Sequence, residues 1–338
     1  MKNVLKKSLA VFLLSIVFCQ LEKTAEAAAL KQIGTIDLPG TPGKRFDYLK
    51  IDYKDHYLLS AHLGADQLYV IDLKTGKLVK AILDTPGAEG VEYVPELNKA
   101  YTSNWRDKTI GVIDLVQMKM IKKIPAEKKP DGSAYAPPFQ KLYVSDEQAK
   151  ALIVVDVIQD KVIKTIRFQS ETGMPQYDPV AKRIYLNLQD QNLFAVIDPA
   201  SDNVESTFPV GKCKGNHGMA LDVDHRLAFL ACEGNNQISV MELDQHKVVA
   251  DVAVADGVDV IAFDPGLHRL YAACYSGVIS VIAEDSPTHF HKLEDFVVQP
   301  KVHSLAVDME THKVYAPEQE EDGKPVSRMV VYEATVGP

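Results

Sequence analysis

Side chains able to ligate a metal or transfer protons are spread over most of the sequence. Six of them fall at one of two points of a repeat described below: Asp47, His62, Asp146, His217, Asp259 and His303. Brought together, imidazoles and carboxylates hold a divalent metal ion or act as acid and base. Alternatively, they form a polar lining around water, because 10 histidines and 46 acidic residues supply such sets by chance.

A second group combines an aromatic ring with a cation. Trp105, the only tryptophan of the chain, lies between Asn104 and Arg106 in a stretch predicted to be a loop. An indole ring can stack on an organic ligand, and a guanidinium beside it can bind a carboxylate. The alternative is that Trp105 packs one repeat against its neighbour.

The elements that position these residues follow from an internal repeat. An apolar pair followed by an acid recurs every 42 residues in the first four copies and drifts in the last three. The seven copies, of which the sixth has alanine in place of the acid, are Val70-Ile71-Asp72, Val112-Ile113-Asp114, Val154-Val155-Asp156, Val196-Ile197-Asp198, Val240-Met241-Glu242, Val281-Ile282-Ala283 and Val331-Tyr332-Glu333. An aromatic residue precedes most of them at a constant distance, as Tyr101 and Tyr143 do.

Each copy has the pattern of four short strands. In the second copy, the alternation of β-branched or aromatic residues with polar ones predicts strands over 90–94, 99–103, 109–114 and 119–124. Four strands per repeat of about forty residues are typical of a propeller blade. The sequence therefore predicts an all-β, seven-bladed β-propeller in a single domain over 30–338. The recurring acids, at the end of each third strand, are expected to cap turns.

The ends of the chain predict how the ring closes. The last copy lacks a fourth strand, whereas residues 31–38 form an extra strand before the first copy. We expect this N-terminal strand to complete the last blade, which removes exposed sheet edges. Six complete blades with frayed ends are the alternative.

Because the innermost strands of a propeller line one channel, equivalent positions of the repeat converge there. Candidates at the starts of first strands are Arg45, Asp47, Glu89, Asp131, Glu171, His217, Asp259 and His303. Candidates at the ends of second strands are His62, Asn104, Asp146, Leu188, Cys232, Cys274 and Glu318. From these, with Trp105 and Arg106, the predicted ligand site at the channel mouth comprises Arg45, Asp47, His62, Glu89, Asn104, Trp105, Arg106, Asp146, His217, Asp259 and His303.

The sequence resembles the YVTN-type repeat propellers, including the YncE-like group. The segments that carry the resemblance are LYVIDLKTGKLV (68–79), IGVIDL (110–115), KLYVSD (141–146), LIVVDV (152–157) and KRIYLN (182–187). The resemblance implies a propeller that is commonly exported and whose activity is often unsettled. Propellers of related architecture include lactonases, streptogramin lyases, haem d1 proteins and quinoprotein dehydrogenase subunits, so the fold leaves the function open.

The first 29 residues have the order of a signal peptide. Lysines at the start precede the apolar run 9–18, which small residues at 25–29 follow, predicting cleavage after Ala27 or Ala29. The apolar run is too short to span a membrane, which takes about 20 residues. We therefore expect a periplasmic or secreted protein with no membrane span after cleavage.

The net charge disfavours one class of partner, and the cysteine positions predict a disulfide. Loss of 1–29, with its four lysines and two glutamates, lowers the formal charge from −9 to −11, which disfavours nucleic acid as a partner. Of the three remaining cysteines, Cys213 and Cys232 belong to one blade at points that antiparallel pairing brings together. We expect them to form a disulfide, with two separate thiols as the alternative.

Three functions remain open from the sequence. The first is a monomeric binding module that holds a small molecule or a partner protein at the channel mouth. The second is a lactonase-like hydrolase or lyase that uses a divalent metal, with His217 or His303 as base. The third is a redox propeller that binds haem d1 or a quinone. We favour the first, because the sequence lacks the GxSxG, Walker, HExxH and GxGxxG motifs.

Overall fold

The computed structural model describes residues 28–335, which form almost entirely β-strands. Most of the predicted signal peptide, residues 1–27, lies outside the described residues. Within the described part, no helix has the length and apolar character needed to cross a membrane.

Seven four-stranded antiparallel sheets form the blades of a β-propeller, as predicted. The first strand, β1 (Leu30–Asp37), belongs to the last blade. Blade 1 comprises β2 (Leu49–Asp52), β3 (Tyr57–His62), β4 (Gln67–Asp72) and β5 (Lys77–Ile82). Blade 2 comprises β6 (Ala88–Val94), β7 (Lys99–Asn104), β8 (Thr109–Asp114) and β9 (Lys119–Pro125). Blade 3 comprises β10 (Pro130–Ala136), β11 (Lys141–Asp146), β12 (Ala151–Asp156) and β13 (Lys161–Arg167).

The other four blades repeat the same order from the axis outward. Blade 4 comprises β14 (Thr172–Asp178), β15 (Arg183–Leu188), β16 (Leu193–Asp198) and β17 (Asn203–Pro209). Blade 5 comprises β18 (Asn216–Asp222), β19 (Leu227–Cys232), β20 (Gln237–Glu242) and β21 (Lys247–Ala253). Blade 6 comprises β22 (Val258–Asp264), β23 (Arg269–Cys274), β24 (Val278–Ser286) and β25 (His289–Val297). Blade 7 comprises β26 (Ala306–Asp308), β27 (Lys313–Glu321) and β28 (Lys324–Ala334), with β1 as its fourth strand. Short 3-10 turns span Leu63–Ala65, Pro137–Phe139, Glu147–Ala149 and Glu233–Asn235.

The N-terminal strand closes the ring. Strand β1 pairs antiparallel with β28, from Leu30 opposite Ala334 to Asp37 opposite Arg328. This confirms the predicted closure by residues 31–38 and excludes the alternative of six blades. Because the last sheet is built from both ends of the propeller domain, no blade is left with an unpaired edge at the junction.

The two sequence markers have separate structural roles. The aromatic residues Tyr101 and Tyr143 are fully buried and belong to apolar clusters between neighbouring blades. The acids at the ends of third strands cap turns, as predicted: Asp72 accepts the backbone N–H groups of Lys74 and Thr75 at 2.8 and 2.7 Å. Equivalent bonds at Asp114, Asp156 and Asp198 explain the recurrence of the acid without catalysis.

The blades present two faces that differ in their connections. On one face, here called the mouth face, lie the loops from each fourth strand to the next first strand and from second to third strands. On the other, the turn face, lie the turns between first and second and between third and fourth strands. The predicted disulfide is present on the mouth face, where it joins Cys213 to Cys232 with 5.2 Å between their Cα atoms. Cys274 is a buried free thiol.

Candidate functional site: the channel mouth

A polar cavity of about 250 Å³ opens where the innermost strands begin. We call it the mouth cavity. It is lined by Arg45, Asp47, Glu89, Lys129, Asp131, Glu147, His217, Glu233, Asp259 and Tyr275. Blades 1, 2, 3, 5 and 6 contribute these side chains, which all come from loops or strand ends of the mouth face. Six carboxylates therefore share one small volume with two permanent cations and one histidine.

Several residues that were predicted from their position in the repeat do line this cavity. Arg45, Asp47, Glu89, His217 and Asp259 all line it. The Arg45 guanidinium lies 3.0 Å from the Asp47 carboxylate and 4.0 Å from that of Asp259. The positions counted at first strands therefore converge on the axis as the repeat predicts.

His303 lies directly behind the lining. Its Nδ1 donates a hydrogen bond to the carbonyl oxygen of Lys301, and its Nε2 is 4.0 Å from the Asp47 carboxylate. The imidazole stacks on the ring of Tyr275 with 4.4 Å between centroids. Burial alone would lower the pKa of His303, but the Asp47 and Asp259 carboxylates raise it. His303 thus supports Asp47 and Tyr275 from behind.

The predicted residues at the ends of second strands lie one strand further from the axis and do not line the mouth cavity. His62 is fully buried, stacks on Phe46 and donates from Nε2 to the carbonyl oxygen of Lys44. Asp146, also fully buried, accepts the backbone N–H groups of the loop before blade 3, including that of Lys129 at 2.7 Å. Both side chains therefore hold the loops that carry the lining residues.

The Asn104–Trp105–Arg106 group also lies away from the cavity. Asn104 is buried and donates to the hydroxyl of Thr109. Trp105 is 37% exposed and covers Gly87, where an added Cβ would lie 2.6 Å from the indole. Arg106 forms an ion pair with Asp66 of blade 1 at 2.6 Å. This group joins blades 1 and 2 at the surface.

Six residues at or near the cavity were absent from the predicted site, although one of them, Asp131, was among the candidates at the starts of first strands. Glu147, Glu233 and Tyr275 each follow the last residue of a second strand, where the chain turns inward. Extending the list of second-strand candidates by one residue would have identified all three. Lys129 stands two residues before Asp131, as Arg45 stands before Asp47. The last of the six, Tyr48, precedes β2 and carries no signal in the repeat.

A hydrogen bond crosses the channel at the floor of the mouth cavity. The Tyr48 hydroxyl of blade 1 and Nε2 of His217 in blade 5 are 3.0 Å apart. These blades are three steps apart, the greatest separation in a ring of seven. Below the bond, a second cavity of about 270 Å³ is lined by Tyr48 and by mostly apolar residues of the innermost strands. The Tyr48–His217 pair thus marks the boundary between two parts of the channel.

Crowding of carboxylates alters their protonation. Burial, with the nearby carboxylates of Asp131 and Asp47, raises the pKa of Glu89 to about 10. Burial also raises the pKa of Asp131 to about 7, although His217 and Lys129 oppose the rise. The pKa of Glu233 is raised by burial as well. Part of the negative charge is therefore neutralised by bound protons at neutral pH.

The cations of the cavity are held by the same carboxylates. Lys129 forms an ion pair with Glu147 and lies 3.7 Å from Glu89. His217 Nε2 is 3.6 Å from Asp259 and 3.7 Å from Asp131. Burial lowers the pKa of His217, but these carboxylates outweigh it and raise the value to about 9. His217 is accordingly an imidazolium at neutral pH.

Three lining residues are spaced to share one metal ion. One donor atom each from His217, Glu233 and Asp259 lies within 4.8 Å of the other two. One imidazole nitrogen and two carboxylate oxygens suit a divalent ion such as Zn²⁺. Binding there requires loss of the His217 proton, so affinity at this cluster would increase with pH.

Comparisons with known proteins establish the fold alone. No protein-family model and no curated protein matches the sequence. The chain is similar to a chain of the mitotic checkpoint complex (TM-score 0.77, 12% identity, covering 97% of this chain and 99% of that one). It is also similar to hydrazine synthase of Kuenenia stuttgartiensis (0.73, 16%, 87% and 96%) and to the WD40 repeats of RRP9 (0.75, 10%, 89% and 99%). It is a seven-bladed β-propeller.

The raised pKa of His217 predicts a pH-dependent stability. A folded-state pKa of about 9 against an ordinary 6.5 adds about 3 kcal/mol below pH 6.5, lost as pH rises to 9. We expect His217→Gln to flatten the decrease in unfolding free energy between pH 6.5 and 9 by about this amount. Urea unfolding at several pH values measures it, with exposed His289→Gln as control. An unchanged pH dependence in His217→Gln would contradict the assignment.

Proposed function

We propose that this chain is an exported propeller of the YVTN-repeat type, YncE-like, that binds a cationic group in the mouth cavity. The observation that carries the proposal is the charge of the cavity. Six carboxylates face only Arg45, Lys129 and the His217 imidazolium in about 250 Å³. A cation placed among them relieves the repulsion between the carboxylates.

The protonated carboxyl groups support this proposal. Glu89 and Asp131, with pKa values of about 10 and 7, hold protons chiefly because they are buried away from water; at Glu89 the neighbouring carboxylates add to the effect. A bound cation lowers both pKa values, and the protons are released. Binding of the cation is therefore coupled to ionisation of groups that the fold holds partly neutral.

The size of the cavity limits the ligand. Sites for drug-sized ligands span roughly 300–1,000 Å³, and the mouth cavity is smaller than this range. It suits a single ammonium or guanidinium group on an aliphatic chain better than haem d1 or a quinone. Such a group belongs either to a free amine or to a lysine or arginine of a partner protein. The similarity to a chain of the mitotic checkpoint complex, an assembly of proteins, supports considering the second source.

The His217–Glu233–Asp259 cluster favours a second candidate function. A divalent metal held by these residues would supply Lewis-acid activation of a carbonyl or of water, as in a hydrolase or lyase. The Tyr48 hydroxyl, which lies 3.0 Å from Nε2 of His217, would then hold a proton near the ligand. This candidate shares the site with the first but requires His217 to be neutral.

Calorimetric titration tests the proposed ligand class. Cadaverine and a short lysine-containing peptide serve as probes for a free amine and for a partner's side chain. We expect at least one to bind, and Asp259→Asn to weaken it about tenfold or more, because a charged hydrogen bond contributes about 1.5–3 kcal/mol. Glu310→Gln makes the same change of charge on the turn face, where Glu310 is 58% exposed, and should have no effect.

The outcomes separate the candidates. Binding of the peptide but not of cadaverine identifies a protein partner, and the reverse identifies a small amine. Binding of neither probe, or binding that Asp259→Asn leaves unchanged, contradicts the proposal. Tight binding of Zn²⁺ that Asp259→Asn abolishes, without binding of either amine, favours the metal-dependent enzyme instead.

The proposed export predicts a specific mature N-terminus. The backbone N–H of Ala29 donates to Glu294 at 2.6 Å, and the carbonyl oxygen of Ala29 accepts from Thr335 at 3.0 Å. Cleavage after Ala27 preserves these contacts, whereas cleavage after Ala29 removes them. We therefore expect the mass of the exported protein to correspond to a chain starting at Ala28. A retained leader or a start at Leu30 would contradict this expectation.

A further inference from the structure

A second group of metal-ligating side chains lies on the turn face, between blades 5 and 6. It consists of His225 in the β18–β19 turn, His268 in the β22–β23 turn and Glu284 near the end of β24, with Asp222 beside them. We call it the turn-face cluster. None of its members lines the mouth cavity, so the cluster is independent of the proposed function.

The donor atoms have the spacing of a metal site. His225 Nδ1 is 2.9 Å from one oxygen of Glu284 and 2.8 Å from Asp222, and His268 Nδ1 is 3.5 Å from the other oxygen of Glu284. In tetrahedral Zn²⁺ sites with bonds of about 2.0–2.2 Å, neighbouring donors lie about 3.3–3.6 Å apart. Small side-chain movements would therefore place both imidazoles and Glu284 around one ion.

Glu284 provides an independent observation that points to a ligand. Its side chain is only 2% exposed, and its Oε2 atom has no hydrogen-bond partner. A buried carboxylate oxygen without a partner is costly, because it loses its hydration without compensation. This oxygen is the one that faces Nδ1 of His268. A cation between them would satisfy it.

The neighbouring blade junctions show what an ordinary link at this position looks like. Asp264 pairs with His312 at 2.8 Å between blades 6 and 7, and Asp178 pairs with Arg226 at 2.7 Å between blades 4 and 5. Each link uses a single base; His312 pairs with one carboxylate, and Arg226 also pairs with Asp244 at 3.1 Å. The turn-face cluster has two imidazoles and two carboxylates, which is more than an ion pair needs.

We propose that His225, His268 and Glu284 bind a divalent transition-metal ion, best matched by Zn²⁺, with Asp222 as an adjacent carboxylate. Two imidazoles and a carboxylate select Zn²⁺ over Ca²⁺ or Mg²⁺, which prefer oxygen ligands. The side chains of His225 and His268 are 35% and 52% exposed, so the ion reaches the site from solvent. Because its ligands come from two blades, the bound ion joins blade 5 to blade 6.

Titration of Zn²⁺ into chelator-treated protein without an affinity tag tests the proposal, and bound Co²⁺ serves as an absorbance probe of coordination. We expect one tight site that His268→Ala weakens by about 100-fold or more, at least the effect of removing an outer-shell partner. Glu284→Gln should weaken it similarly. Zn²⁺ should also raise the unfolding temperature of the wild type but not of His268→Ala.

Control variants show whether the Zn²⁺ binds at the turn-face cluster. His312→Ala removes the imidazole at the equivalent position of the next blade and should leave Zn²⁺ affinity unchanged. Circular dichroism of His268→Ala, a half-exposed substitution, confirms that the variant is folded. Absence of Zn²⁺ binding to the wild type, or affinity unaffected by His268→Ala, would overturn the proposal. Loss of binding in Asp259→Asn alone would place the metal at the mouth and would also overturn it.

Discussion

The convergence of seven innermost strands on one axis is the constraint from which the chemistry of this propeller follows. A residue type that recurs at one position of the repeat is concentrated there in a few hundred cubic ångströms. Acids stand at that position in blades 1, 2, 3 and 6, and Glu147 and Glu233 join them from neighbouring loops. Burial, with the neighbouring carboxylates, explains why Glu89 holds a proton, and burial raises the pKa of Asp131 as well. Attraction to the carboxylates explains why His217 is charged although it is buried.

The ends of the second strands maintain this arrangement. In blade 1 His62 holds the carbonyl of Lys44, in blade 3 Asp146 caps the loop that carries Lys129, and in blade 5 the Cys213–Cys232 disulfide fixes the loop before His217. Three different chemistries thus perform one task at equivalent positions. They order backbone segments that would otherwise be free to relax away from crowded charges, which keeps the lining side chains preorganised for a ligand.

Much of this could be predicted from the sequence, because a repeat converts one-dimensional spacing into position around an axis. The blades, the closure by β1, the disulfide and the first-strand residues of the mouth all followed from register. The position of a residue in the repeat does not tell where its side chain points, however. His62 and Asp146 were therefore predicted to line the channel mouth, although their side chains hydrogen-bond to the backbone of neighbouring loops. The turn-face cluster was missed because the acid marker is displaced by one residue in blade 6. Ala283 takes its place and Glu284 follows, and in a strand a shift of one residue exchanges the two faces.

The most direct test of the central claim is the number of protons exchanged when a cation binds. Calorimetric titration of cadaverine or the lysine peptide at pH 7, repeated in buffers of different ionisation enthalpy, measures that number. We expect net release of protons, because a cation in the mouth cavity ionises Glu89 and Asp131, and a smaller release for Glu89→Gln. Binding with no proton exchange, or with proton uptake, would contradict the view that the mouth is a set of crowded, partly neutralised carboxylates awaiting a cation.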